Sequence, residues 1–321
     1  MVKKRHKGTK GRQQQMRAVW PLCVLAFVLA VVLASVLRMG PVTAMDGDPS
    51  ALSGNRNEAA PSLDLGRLLG ALSPPGTDPA LRPSVDERAE PALIAIVIDD
   101  AGLAEAATRR AMALPEAVTL SFLPYGAASP ALAREASSRG HEIILHMPMA
   151  PEGAEDPGPG ALRPELGAQE NRARLSRALD LFPQAIGINN HMGSAMTADA
   201  GAMAPVLDLI AGRGLIFLDS RTTPATVAGS AARASGMIAV DRDIFLDNEM
   251  DAPAIGEQLA ALELMARQRG VAIAIGHPHE ATLAALEIWV TGLSARGFRL
   301  VPLSVAAGIR NGSLRPVALD R

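Results

Sequence analysis

Between residue 93 and about residue 309 the chain repeats one pattern: a short apolar run, then a polar segment of helical period, then another apolar run. The runs cover residues 93–98, 118–122, 142–145, 185–188, 215–218, 237–240, 271–275 and 298–301. Parallel neighbours cannot be joined by a tight turn, so strands separated by helix-length crossovers predict βα units and a largely parallel sheet. Four joints share a signature: Arg139-Gly140, Arg213-Gly214, Arg269-Gly270 and Arg296-Gly297 each lead into an apolar run. A cation in the last helical turn meets the negative end of the helix dipole, and glycine supplies the left-handed residue that stops the helix. The likeness is confined to these joints, so the chain is no tandem repeat.

Units of this kind fit either a small barrel or an open doubly wound sheet. No G-x-G-x-x-G stands after the first run, so a dinucleotide site is not indicated. The residues just beyond the runs decide for a distorted (β/α) barrel of about seven parallel strands. Chemistry-bearing side chains are shared among many strand ends, the face on which barrels carry their sites. Asp99-Asp100 come after the first run, Leu123-Pro124-Tyr125 after the second and His146 after the third. Asn189-Asn190-His191 and then Ser194 come after the fourth, Asp219 after the fifth, and His277-Pro278-His279 after the seventh. Four of the six histidines thus gather at one end. Imidazole and carboxylate donors without cysteine suit zinc, iron, manganese or cobalt in an open site.

The combination IAIVIDDAG, LSFLPYG, GHEIILHMPM, GINNHMGS, FLDSRTT and AIGHPH over residues 91–310 resembles the divergent polysaccharide deacetylase family, distant relatives of the metal-dependent polysaccharide deacetylases. The resemblance implies that Asp100 and His146 bind one divalent ion, that Asp99 is the general base and that His277 is the general acid. Two departures bear on this. Ordinary deacetylases carry a second histidine four residues after the first, where this chain has Ala150, and their arginine-proline motif is replaced by Asn189-Asn190-His191. His191 from the neighbouring strand is the simplest replacement for the missing imidazole, which gives Asp100, His146 and His191 as the expected ligands and zinc as the expected ion.

Around that centre, Asp219 is expected to hold a histidine in its tautomer, and Asn190 and Ser194 to donate to substrate. Tyr125 either lines the site or merely packs, and His279 is either a ligand or the start of a helix. Residues 147–168, with five prolines and four glycines, read as a structureless lid or binding loop.

The N-terminus is of another kind. Residues 1–17 hold seven Lys and Arg and no acid; residues 18–37 hold no charge, and Arg38 closes the run. Twenty residues at helical rise span roughly 30 Å, the thickness of a bilayer core. The basic flank predicts a cytoplasmic tail, a transmembrane helix over residues 18–38 and everything downstream outside, in the bacterial inner membrane with the main domain periplasmic. Residues 39–90, with seven prolines and six glycines, read as a flexible linker, 91–310 as the barrel domain and 311–321 as a tail. A net charge of -2 gives no reason to expect nucleic acid as a partner. Aromatic content of 3% weakens any reading as a binding module built on stacked Trp and Tyr. The expected function is hydrolysis of acetyl groups on cell-envelope carbohydrate, with a polysaccharide or oligosaccharide as partner. The alternative is a non-catalytic envelope protein that binds glycan, metal or a protein partner through the same site.

Overall fold

In a computed structural model, which describes residues 90–315, each of the eight runs becomes a strand. They are β1 (Ala92–Ala101), β2 (Thr119–Phe122), β3 (Ile143–Met149), β4 (Gly187–Met192), β5 (Ile216–Asp219), β6 (Ala239–Asp241), β8 (Val271–Gly276) and β9 (Phe298–Leu300). A further strand, β7 (Ile244–Phe245), was not among the runs, being two residues long. The helices are α1 (Glu105–Ala111), α2 (Ser129–Ser138), α3 (Gly167–Asp180), α4 (Ser194–Ala198), α5 (Ala200–Gly212), α6 (Ala228–Ala234), α7 (Ala252–Arg269), α8 (Glu280–Thr291) and α9 (Leu303–Arg310). At the four Arg-Gly joints the glycines adopt φ of +97° at Gly140, +68° at Gly214, +79° at Gly270 and +81° at Gly297, the left-handed stop expected of them.

All strand pairings are parallel, in the order β6-β5-β4-β3-β2-β1-β8-β7. β1 shares one edge between two partners: β9 takes Ala92–Ile94 and β2 takes Val97–Ala101. The end strands β6 and β7 are not paired with each other. The two residues between them cross the gap: Arg242 N donates to Asp219 O on β5 at 3.0 Å and Asp243 N donates to Ile273 O on β8 at 2.9 Å. So short a crossing requires the sheet to curl until its edges nearly meet. The expected barrel of about seven strands is therefore a curled, nine-stranded parallel half-barrel that the chain bridges covalently where hydrogen bonds do not close it.

Alternation along the strands sorts the side chains into two layers. Ile94, Ile96 and Ile98 of β1, with Ala272 and Ala274 of β8, face outward and pack under the helices. Leu93, Ala95 and Val97, with Val271, Ile273 and Ile275, face inward. The inner layer is sealed at its base by α9, whose Leu303, Ala306 and Ala307 pack into it. Leu303 N donates to Thr119 Oγ1 and Ser304 N to Glu142 Oε2, which fixes that helix in the bowl. Only the opposite end, where the strands finish, is left open for chemistry.

Residues 147–168 are not structureless. Met147 to Met149 extend β3, Ala150 N donates to Leu162 O and Leu162 N to Pro148 O, and Glu152 N donates to Ser194 Oγ. Only the tip of the segment is free of such ties. The expected membrane-crossing segment, residues 18–37, lies outside the described residues, as does the expected linker up to residue 89. Among the described residues no helix is long and apolar enough to cross a membrane.

Candidate metal centre

The inward face of the strands continues, at their C-terminal ends, into polar side chains of the same parity. On β1 the inward series Leu93, Ala95, Val97 leads to Asp99; on β3, Ile144 leads to His146; on β8, Ile273 and Ile275 lead to His277. Asn189 and His191 occupy the inward positions of β4, whose register sets Asn189 opposite His146 and His191 opposite Pro148. His191 is thus one pleat nearer the mouth than His146. Asp100 breaks the alternation. The β1–β2 register shifts between Ile98 and Ala101, and Asp100 takes φ +54°, a conformation that costs a non-glycine residue of order 1 kcal/mol. The bulge turns a side chain that would face outward back over the mouth.

Three donor atoms meet there. His146 Nε2 lies 3.3 Å from Asp100 Oδ1, His191 Nδ1 lies 3.0 Å from the same oxygen, and the two ring nitrogens are 3.2 Å apart. Bonds of about 2.1 Å to a single ion place tetrahedral or octahedral ligands about 3.0–3.4 Å from one another. Asp100 Oδ1 is buried and accepts no hydrogen bond, which is costly unless a cation takes its lone pairs. The donor set and its spacing fit one divalent ion.

Asn189, fully buried, fixes two of the neighbours and was not among the expected site residues. Its Oδ1 lies 2.8 Å from His146 Nδ1 and accepts from Ser121 Oγ at 2.7 Å. Its Nδ2 donates to Asp99 Oδ1 and Oδ2 at 2.8 and 2.9 Å and lies 3.2 Å from Ser220 Oγ. An amide oxygen can only accept, so His146 carries its proton on Nδ1 and offers the Nε2 lone pair to the centre. One amide thereby orients both a ligand and the carboxylate of Asp99, whose Oδ2 lies 3.5 Å from His146 Nε2.

His277 stands across the pocket, its Nε2 4.0 Å from Asp100 Oδ2. Its Nδ1 donates to Asp247 Oδ1 at 3.0 Å, and its backbone N–H donates to Asp247 Oδ2, which also accepts from Thr282 Oγ1 at 2.8 Å. Burial works against a charged ring, but the hydrogen bond to Asp247 and the charges of Asp99, Asp247 and Asp100 outweigh it and push the His277 pKa up to about 9. Burial likewise opposes ionisation of Asp247, and the contact with His277 overrides it and holds the carboxyl below its ordinary range. At Asp100 burial is again outweighed, by the close approach of the His146 and His191 rings, so this carboxyl stays ionised far below the usual range. Asp247 was also absent from the expected residues, although a signal existed: the tetrapeptide Ile-Phe-Leu-Asp occurs twice, at residues 216–219 and 244–247.

The remaining expected residues fall elsewhere. Asp219 has the parity of the outward-facing Phe217 and reaches no histidine; it accepts from Arg221 N, Thr226 Oγ1 and Gly229 N. Asn190 shares the outward parity of Ile188, donating to Met192 O and accepting from Ser220 N, so it ties loops together. Ser194 accepts from Glu152 N and anchors the 147–168 segment. Tyr125 packs against the 147–168 segment within reach of the Asp100 charge: burial first, then the charges of Asp100 and Asp156, raise its phenol pKa, and its ring leaves no room for a Cβ at residue 158. With Pro124, Met147, Pro159 and Leu181 it lines a cavity of about 320 Å³ that contains none of the metal-centre residues. His279 is exposed at the start of α8 with its ring 5.5 Å from that of His277. It forms a close group with Asp247 and His277, but the Asp247 oxygens are already taken as described.

The chain is 37% identical over 200 residues to the uncharacterised protein YibQ of Escherichia coli K12, spanning 62% of this chain and 63% of that protein. It is 38% identical over 200 residues to an uncharacterised protein of Haemophilus influenzae, spanning 62% and 71%. The structure superposes on the crystal structure of an uncharacterised protein from Agrobacterium tumefaciens C58 with a TM-score of 0.65 at 31% identity, covering 68% of this chain and 89% of that one. The sequence model of the divergent polysaccharide deacetylases matches residues 96–307, and the chain belongs to that family.

Proposed function

We propose that this protein is a metal-dependent hydrolase that removes acetyl groups from cell-envelope carbohydrate. Asp100, His146 and His191 hold one divalent ion, and their donor set is best suited to zinc. The observation that carries the reading is the meeting, at one mouth, of a three-donor triangle, a carboxylate beside it and a histidine–carboxylate pair across it. When bound, the ion polarises the acyl carbonyl and lowers the pKa of a water toward about 7. Asp99, oriented by Asn189, accepts the proton of that water as its oxygen joins the acyl carbon. His277 gives its Nε2 proton to the leaving nitrogen as the C–N bond breaks, so acetate and a free amine depart. Asp247 keeps the ring both oriented and charged. Acetate release from N-acetylated oligosaccharides by the zinc-loaded chain is the direct test. A loaded chain that binds such oligosaccharides and releases no acetate sinks the hydrolase reading and leaves glycan binding.

The pH dependence is set by His277. An acid works only while protonated, so kcat/KM holds through neutral pH and falls as pH rises through the His277 pKa, about 9 before a nearby cation draws it down. The raised pKa also means that the ring's charge stabilises the fold fully below about 6.5 and that this contribution is lost as pH rises through about 9. Asp247→Asn removes the main partner of that charge, and the alkaline limb of the pH–rate profile should move down by about one unit or more, toward the ordinary imidazole value. An unmoved limb would show that Asp247 does not tune the acid.

We also propose a location: a single-pass bacterial inner-membrane protein with residues 1–17 cytoplasmic and the deacetylase-like domain periplasmic. Its support is the seven-cation flank before an uncharged span of twenty residues. A reporter enzyme that functions only after export, fused behind residue 90, should be active. Activity of a cytoplasm-only reporter at that point would sink the topology.

A further inference from the structure

Two guanidinium groups stand at the mouth of the pocket with no carboxylate of their own among the described residues. Arg242 lies in the two-residue crossing between β6 and β7, half-buried. Its Nε donates to Ser220 O at 2.7 Å and its Nη2 to Arg221 O at 3.2 Å. The guanidinium lies 4.8 Å over the Phe245 ring, and that ring is 5.2 Å from His277. Ser220 in turn contacts Asn189, which holds Asp99. Arg242 therefore belongs to the wall between the proton acceptor and the proton donor. Arg221 sits on the loop after β5, exposed, with φ +51°, held by its backbone N–H on Asp219 Oδ1 at 2.8 Å.

Among the described residues no carboxylate forms an ion pair with either side chain, and the Arg221 side chain makes no hydrogen bond. Several arginines elsewhere are matched: Arg110 with Glu280 and Glu287, Arg310 with Asp243, Arg233 with Asp241. Burial depresses the pKa of Arg242, and the neighbouring charge of Arg221 adds to that, while Asp99, Asp219 and Asp243 offset only part of it. A desolvated cation beside a like charge is a costly arrangement that an anion would relieve. An anion seated between the two guanidinium groups would also lie near Asp99, Asp219 and Asp243, which already offset part of their charge, so a monoanion such as a carboxylate suits the place better than a phosphate monoester at nearly two negative charges.

We infer that the pocket takes an N-acetylated saccharide carrying a carboxylate, and that Arg221 and Arg242 receive this carboxylate while the acetyl group faces the metal triad. The placement of the acetyl group rests on the hydrolase reading; recognition of the carboxylate does not. Guanidinium forks suit the task because their paired N–H groups match the two oxygens of a carboxylate.

The test is a calorimetric titration of the zinc-loaded full chain with two oligosaccharides of equal length. One is a neutral N-acetylglucosamine oligomer; the other alternates N-acetylglucosamine with N-acetylmuramic acid, whose lactyl ether supplies the carboxylate. The acidic oligomer should bind about 10-fold tighter or more, as expected of charge-assisted hydrogen bonds. Arg221→Gln should erase most of that preference and Arg221→Glu should invert it, and this exposed side chain can be changed without disturbing the core. Arg242→Lys, which keeps the charge and loses the fork, should weaken the preference several-fold. Equal affinities in the parent, no measurable binding of the acidic oligomer, or a preference that survives Arg221→Glu would overturn the inference. Acetate release from the same samples separates the two readings. A preference for the acidic oligomer with no acetate from either keeps the carboxylate site and sinks the hydrolase; acetate from both at equal kcat/KM, with equal affinity, does the reverse.

Discussion

Replacing His191 with alanine is expected to lower the affinity for zinc by about 100-fold or more while leaving the domain folded. Losing an outer partner of a metal ligand typically costs about 10–100-fold, and His191 is a donor itself, 3.0 Å from Asp100 Oδ1 and 3.2 Å from His146 Nε2. Neither Asp219 nor residue 150 can take its place. Asp219 faces the outer layer, and residue 150, where ordinary deacetylases have their second histidine, is an alanine whose backbone serves Leu162 and α4. The fold should survive because the His191 side chain is partly exposed at the mouth and outside both apolar clusters, so its removal opens no cavity in the core. Competition against a chromophoric chelator measures the affinity, and a thermal melt of the metal-free variant reports on the fold. A variant that binds zinc as tightly as the parent would mean that the triangle is not the centre.

The second large effect separates catalysis from metal binding. Asp99→Asn should retain zinc within about 10-fold and lose about 10²–10⁴-fold in kcat, the usual contribution of general base catalysis. Asp99 is not one of the three donors, and the amide that replaces it keeps its shape inside a fully packed site. What disappears is the acceptor for the water's proton. Asn189 Nδ2, which now donates to both carboxylate oxygens, would keep only one oxygen to bond, a structural cost of about 1 kcal/mol. A variant that hydrolyses at the parent rate would remove Asp99 from the mechanism. A variant that loses zinc altogether would make it a ligand.

Most of the fold was legible because it rests on local chemistry. Alternating apolar runs mark β1 to β6, β8 and β9, and Arg-Gly pairs mark four helix ends, each dictated within a few residues of chain. β7 escaped because two residues cannot show a period. Much of the site was legible for a related reason that simple position after a run does not capture. Parity along each strand continues past the apolar residues, so Asp99, His146, Asn189, His191 and His277 inherit the inward face, whereas Asn190 and Asp219 inherit the outward one. Reading parity would have set Asn190 and Asp219 aside and raised Asn189.

By itself, then, the sequence determined the strand order of chemistry: which residues end a strand, which face they share and which joints turn the chain back. Those are nearest-neighbour properties, fixed by alternation and by glycine at left-handed positions. Tertiary structure alone decided three matters. The bulge in β1 and the positive φ of Asp100 turn a second consecutive aspartate into the mouth; the family resemblance named Asp100 as a ligand, but strand alternation by itself sets that residue on the outward face. The curl of the sheet brings the segment after β7 against β8, so that Asp247 meets His277 thirty residues away. The same curl carries Arg242 across the seam to the side of Asp99. Both depend on how far nine strands bend before their edges approach, a sum of many small twists that no local stretch of the chain contains.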